Sequence, residues 1–81
     1  MRKKDIHKAY IIKSPGGRVY IKIYKKDEMT QEYIEFIKRC KEDGSLLKEK
    51  EQLQDENYRQ FIARIKAVTK QIAKQLNLEY C

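Results

Sequence analysis

The chain has 81 residues, 41% of them hydrophobic, and a formal net charge of +7. That length holds one small domain with a core near the lower limit for independent folding. No apolar run approaches the roughly 18–20 residues of a membrane span, and no apolar stretch behind the basic start marks a secretory signal.

The charge is sorted along the sequence. Residues 1–26 carry nine Lys/Arg against the single Asp5, residues 27–56 five against ten Asp/Glu, and residues 57–81 five against the single Glu79. A basic head and tail around an acidic middle point to surfaces aimed at a polyanion. The composition places the whole of residues 1–81 in one domain: a basic β-hairpin (1–26), a helix (27–44), an acidic connector or short helix (45–56) and an amphipathic helix (57–78).

In the first segment, residues 6–13 and 18–25 are rich in Ile, Val and Tyr, with Ser14-Pro15-Gly16-Gly17 between them. Pro15 fixes φ at the first central turn position, and Gly16 or Gly17 supplies a positive φ after it. Val19, Ile21 and Ile23 alternate with Arg18, Tyr20, Lys22 and Tyr24, the period of a strand. Setting Lys13 opposite Arg18 places Ile12 by Val19 and Tyr10 by Ile21, which gives one apolar face; a bulge at Gly17 would shift this register.

Asp27 or Thr30 is placed to cap the following helix, whose Met29, Tyr33, Phe36, Ile37 and Cys40 recur at helical spacing; Gly44 ends it. Ser45 is a candidate N-cap for the next segment. From Leu46 to Glu56 nearly every residue is charged or an amide, as in a short solvated helix or the first part of one long helix. The pattern then sharpens: Tyr58, Phe61, Ile62, Ile65, Val68, Ile72 and Leu76 form a stripe at three- and four-residue intervals. Covering that stripe with the first helix and the hairpin predicts an α+β fold of two layers, in the order β-β-α-(α)-α.

Two surfaces are candidates for nucleic-acid binding. On the hairpin, Lys13, Arg18, Tyr20, Lys22 and Tyr24 would interleave cations with aromatic rings, flanked by Arg2, Lys3, Lys4, Lys25 and Lys26. On the last helix, Lys66, Lys70 and Lys74 lie four apart, with Arg59 and Arg64 nearby. Like charges at that spacing repel by about 0.2–0.5 kcal/mol per pair, and an external anion would relieve them.

No catalytic, metal or cofactor constellation is found. His7 is the sole histidine, with no Ser or Cys near it in sequence to make a nucleophile pair. Gly16-Gly17 lacks the Lys-Ser/Thr of a phosphate-binding loop. Glu42/Asp43 and Asp55/Glu56 are hydrophilic helix positions with nothing to raise a pKa. Cys40 and Cys81 form no CxxC pair, which fits unbridged thiols in a reducing cytoplasm.

Residues 68–78 resemble the first helix of a helix-turn-helix, through Ile72-Ala73 and Leu76 in an IA-x-x-L pattern. In that family a recognition helix follows directly. Here Glu79, Tyr80 and Cys81 follow, so the base-reading part is missing.

The expected function is therefore that of a small non-enzymatic basic protein whose partner is nucleic acid or a nucleic-acid-bound protein complex, with no membrane role. The alternative is a protein inhibitor or adaptor of phage or mobile-element type, directed at a host protein such as a defence or nuclease complex. A homodimer joined through the hairpin edge is a third expectation.

Overall fold

The computed structural model describes residues 6–25, 28 and 30–80. Its elements are β1 (His7–Lys13), β2 (Arg18–Lys25), α1 (Gln31–Glu42), β3 (Leu46–Glu51), α2 (Tyr58–Leu76) and β4 (Glu79–Tyr80). The strands form one sheet in the order β3-β1-β2-β4. β1 runs antiparallel to both β2 and β3, and β4 runs parallel to β2. The α+β class is as expected, and the two extra strands change the architecture.

The hairpin turn sets the register. The Gly17 N–H donates to the Ser14 carbonyl at 3.0 Å, and the Ser14 N–H donates to the Arg18 carbonyl at 2.7 Å. Gly17 sits at φ 86°, a left-handed conformation that only a residue without Cβ adopts cheaply. The extra residue is a bulge, so Ser14, rather than Lys13, faces Arg18. Lys13 then pairs with Val19, Ile12 with Tyr20 and Ile11 with Ile21. The expected pairing of Lys13 with Arg18 is off by one residue.

A one-residue shift moves every β1 side chain to the other face relative to β2. Tyr10 and Ile12 join Tyr20 and Tyr24 on one face, packed with Phe36, Ile37 and Cys40 of α1. Ala9 joins Ile21 and Ile23 on the other, packed with Phe61, Ile62 and Ile65 of α2. Ile11 and Val19 continue that second face against Val68, Ile72 and Ala73. A helix thus covers each face of the sheet, and the two-layer expectation gives way to helix, sheet, helix. The run Ala9-Tyr10-Ile11-Ile12 is at most 4% exposed, which is the signature of a strand buried on both sides.

The segment expected as an acidic connector or short helix is β3. The chain cannot continue as helix because Gly44, at φ 80°, ends α1. The Ser45 N–H closes this cap on the Cys40 carbonyl at 2.9 Å, so Ser45 finishes one element and does not cap a new helix. Lys48-Glu49-Lys50-Glu51 then alternates sign residue by residue, which on a strand puts acids on one face and bases on the other. Glu49, opposite Tyr10, lies on the α1 face, where it meets Lys8 at 3.0 Å and Lys41 at 3.5 Å. Charged residues also suit an outermost strand, because they discourage pairing with a further chain. β1 is paired with β3 on one side and β2 on the other, so the part of the hairpin edge that no described strand pairs lies on β2.

The caps fix the helix ends. The Thr30 side chain accepts from the Tyr33 N–H, which selects Thr30 as the α1 cap; Asp27 lies outside the described residues. For α2, the Asn57 side chain accepts from the Gln60 N–H at 2.8 Å while Gln60 Oε1 accepts from the Asn57 N–H at 3.1 Å, a reciprocal capping box. At the other end Asn77 turns left-handed at φ 58°. The Leu78 N–H reaches the Ala73 carbonyl at 2.8 Å, and Leu78 packs beside Ala73, completing a Schellman cap. The chain leaves this turn as β4, so the helix-turn-helix resemblance ends at Asn77.

Candidate nucleic-acid interface

α2 is built from rows four residues apart, the natural ridges of an α-helix. Phe61, Ile65, Thr69 and Ala73 form the buried row. Arg64 leaves the row beside it to grip the loop after β3, while Val68 and Ile72 of that row return to the core. Apart from Tyr58, Gln60 and Leu76 near its ends, the exposed residues of the helix fall in two rows: Lys66, Lys70 and Lys74, and Arg59, Ala63, Ala67, Gln71 and Gln75. All eight residues are exposed. The helix contains no Asp or Glu.

Five of the described cations, Lys8, Arg18, Lys25, Lys41 and Arg64, meet carboxylates of the chain, while Lys13, Lys22, Lys38, Lys48, Lys50 and Arg59 meet none among the described residues. Arg64 binds Glu56 through two hydrogen bonds of 2.9 Å and donates to the Glu51 carbonyl at 2.8 Å. The Leu53 N–H donates to the same carboxylate at 3.0 Å. The Arg64 guanidinium, with help from that N–H, holds the Glu56 carboxyl below its ordinary value, and the pairing raises Arg64 in turn. The hydrogen bond to Glu49 raises Lys8 and lowers Glu49, outweighing partial burial that acts against both charges. Arg18 approaches Glu79 at 3.4 Å, and Lys25 approaches Glu28 at 4.0 Å. Both of these pairs are solvated and contribute little to stability.

Lys66, Lys70 and Lys74 stand apart in lying together on one exposed face of a helix. Among the described residues no hydrogen bond or ion pair engages any of them. Arg64, expected to extend the stripe, is committed to Glu56. Arg59 stays in solvent and lies at the start of the second exposed row.

The hairpin residues do not form one exposed face. Lys13 and Lys22 are exposed but lie on opposite faces, because the register puts Lys13 with Val19 and Lys22 with Tyr10. Tyr20 and Tyr24 are half-buried under α1, and Tyr24 stacks on Tyr33 with centroids 4.1 Å apart. Burial pushes both phenols above their ordinary value. Rings covered in this way offer no platform for bases, so the expected interleaving of cations and aromatics is broken. Arg18 is exposed and faces Glu79. Of the flanking cations, residues 2–4 and 26 lie outside the described residues, as does Cys81. Cys40 is a buried free thiol whose pKa is raised by desolvation.

His7 serves the structure. Its N–H and its ring Nδ1 both lie 3.0 Å from Gln52 Oε1, and its ring packs on Tyr58 with centroids 4.6 Å apart. The Gln52 amide in turn donates to the Glu56 carbonyl at 2.8 Å. This network, with Arg64–Glu56, ties the loop between β3 and α2 to the end of the sheet. Among the described residues no three His, Cys, Asp or Glu side chains converge, and no helix is long and apolar enough to cross a membrane.

The Arg64–Glu56 clasp and the Lys8–Glu49 pair carry a pH dependence. A carboxyl whose folded pKa is depressed contributes stability that is complete above its unfolded value and is lost as pH falls through the folded value. Glu49 and Glu56 both start from 4.5 and are both lowered. The thermal midpoint is therefore expected to hold steady from about pH 8 to 5 and to fall steadily below about pH 4.5. Glu56→Gln lowers the midpoint at neutral pH and flattens the acid limb. Circular-dichroism melts across this range check both effects, and equal midpoints for the two proteins at pH 7 would contradict the role given to the clasp.

The outer side of β2 is the other feature of note. β4 covers it only at Arg18 and Val19, and no described strand pairs with it from Tyr20 to Lys25. An open cleft of about 380 Å³, lined by Ser14, Arg18, Val19, Tyr20, Ile21 and Tyr80, lies where that cover stops. Gln71 and Gln75 are uncharged, so charge spacing in the sequence marks only the lysine row beside them. The spacing from Ala63 through Ala67 to Gln75 was the available signal. Compared with known proteins, the chain matches no family model, no curated protein and no solved structure.

Proposed function

We propose that the protein binds nucleic acid through the solvent face of α2, with Lys66, Lys70 and Lys74 on the phosphates. One observation carries this reading: Lys66, Lys70 and Lys74 form a single exposed row on a helix that contains no Asp or Glu, and none of them meets a carboxylate among the described residues. A helix exposed only for solubility gains from mixed signs at four-residue spacing. This one carries a single sign and places it on a convex, rigid element. Neutralising phosphates releases counterions, which makes such binding strong at low salt and weak at high salt. The role is non-enzymatic.

An NMR titration of labelled protein with duplex DNA at low salt tests the placement. Amide shifts are expected to concentrate on residues 59–75. Shifts centred instead on residues 20–25, or none at all, would remove the reading. A second reading, the inhibitor or adaptor that binds a host protein, draws on the uncovered side of β2, where an extended segment of another protein could add a strand. A stoichiometric protein partner retained at high salt, after nuclease treatment, would favour it.

A further inference from the structure

Resting on that reading, we propose that α2 is a major-groove helix for B-form duplex DNA, with Lys66, Lys70 and Lys74 on one phosphate backbone and Gln71 and Gln75 on base edges.

The two exposed rows of α2 differ in reach and chemistry. The lysine row holds three long cations rising about 6 Å per step along the axis, comparable to the step between neighbouring phosphates of one strand. The adjacent row begins with Arg59, then has Ala63 and Ala67, then Gln71 and Gln75, all exposed. No hydrogen bond among the described residues occupies either of these last two amides. Gln60, by contrast, spends its amide oxygen on the helix cap. A terminal amide is the side-chain group that pairs in two-point fashion with the exposed edge of adenine.

Ala63 and Ala67 leave the middle of the face low, so the helix can approach the bases closely. A helix about 10–12 Å across fits a groove about 12 Å wide. The face has the division of labour that such docking needs: charge at one flank to set position, and amides beside it to read sequence.

The alternatives fit less well. Single-stranded nucleic acid is gripped by several exposed rings on which successive bases stack, whereas the one exposed ring of α2, Tyr58, stands at its first residue and packs on His7. The major groove of duplex RNA is deep and narrow and excludes a helix. An A·T-rich site in duplex DNA is therefore the expected ligand.

The experiment is a fluorescence-anisotropy titration of the full chain with four probes of equal length: A·T-rich duplex DNA, G·C-only duplex DNA, duplex RNA and single-stranded DNA. The A·T-rich duplex should bind best, by about tenfold or more over the G·C duplex. Q71A/Q75A should abolish that difference while leaving the salt dependence unchanged. Both side chains are exposed, and the variant's folding is checked by circular dichroism. Equal affinity for all four probes, a preference for RNA or single strands, or an A·T preference that survives in Q71A/Q75A overturns the groove placement and leaves the binding reading standing. No binding to any probe at low salt removes both.

Discussion

Phe61→Ala is expected to bring the protein to the edge of unfolding. Phe61 is fully buried, at the centre of the contact between α2 and the sheet, against Ala9, Ile65, Ile21 and Ile23. The Arg64 guanidinium lies 5.6 Å from its ring centroid, so the ring also supports the clasp on Glu56. Truncating a buried Phe costs about 3–5 kcal/mol, because the contacts go and a cavity remains. A domain of this size has only about 4–12 kcal/mol to lose. The midpoint should fall by more than about 12 °C, or the cooperative transition should vanish. Leu53→Ala is the natural control: Leu53 is 56% exposed, and its loss should cost under about 0.5 kcal/mol. Equal midpoints for F61A and L53A would mean that α2 does not pack on the sheet as described.

The second large effect concerns binding. Lys66→Glu, Lys70→Glu and Lys74→Glu together lower the formal net charge from +7 to +1 and place three carboxylates where phosphates are proposed to sit. Affinity for duplex DNA at low salt should fall by about a hundredfold or more, since attraction is replaced by repulsion at three adjacent contacts. Stability should change little. The row is solvated and unpartnered, and exchanging one set of like charges for another leaves a repulsion of about 0.2–0.5 kcal/mol per pair. Lys13→Glu with Lys22→Glu provides the comparison. Those two residues lie on opposite faces of the sheet, so that pair should weaken binding much less. Equal losses from the two variants would show that net charge alone governs binding and that α2 is no site.

The sequence made some of this legible and concealed the rest for physical reasons. The α2 stripe was readable because seven large apolar residues at helical spacing admit no other regular structure. Gly17 and Gly44 were readable as the positions of positive φ, and Thr30 as a cap. β3 was not, because it contributes only Leu46 and Leu47 to the core and pairs with β1, more than thirty residues earlier in the chain. Its Lys/Glu alternation is compatible with a solvated helix, yet it is also the period of a strand. The hairpin register failed because one bulged glycine outweighs an attractive pairing of apolar residues. Four consecutive apolar residues in β1 were a better guide than alternation in β2, since they require cover on both faces. That cover also explains the candidate surface: Tyr20 and Tyr24 alternate correctly for an outer face, yet local pattern does not reveal that α1 will lie on it. The lysine row stood out because charge spacing on a helix is local.

The most direct measurement is the slope of log affinity for duplex DNA against log salt concentration, for the native chain and for Lys66→Ala/Lys70→Ala/Lys74→Ala. Each neutralised phosphate contributes about −0.9 to that slope. The native slope should therefore be steep and negative, and the triple variant's shallower by about 2.7. A native slope near zero, or one that the triple variant leaves unchanged, would contradict the account.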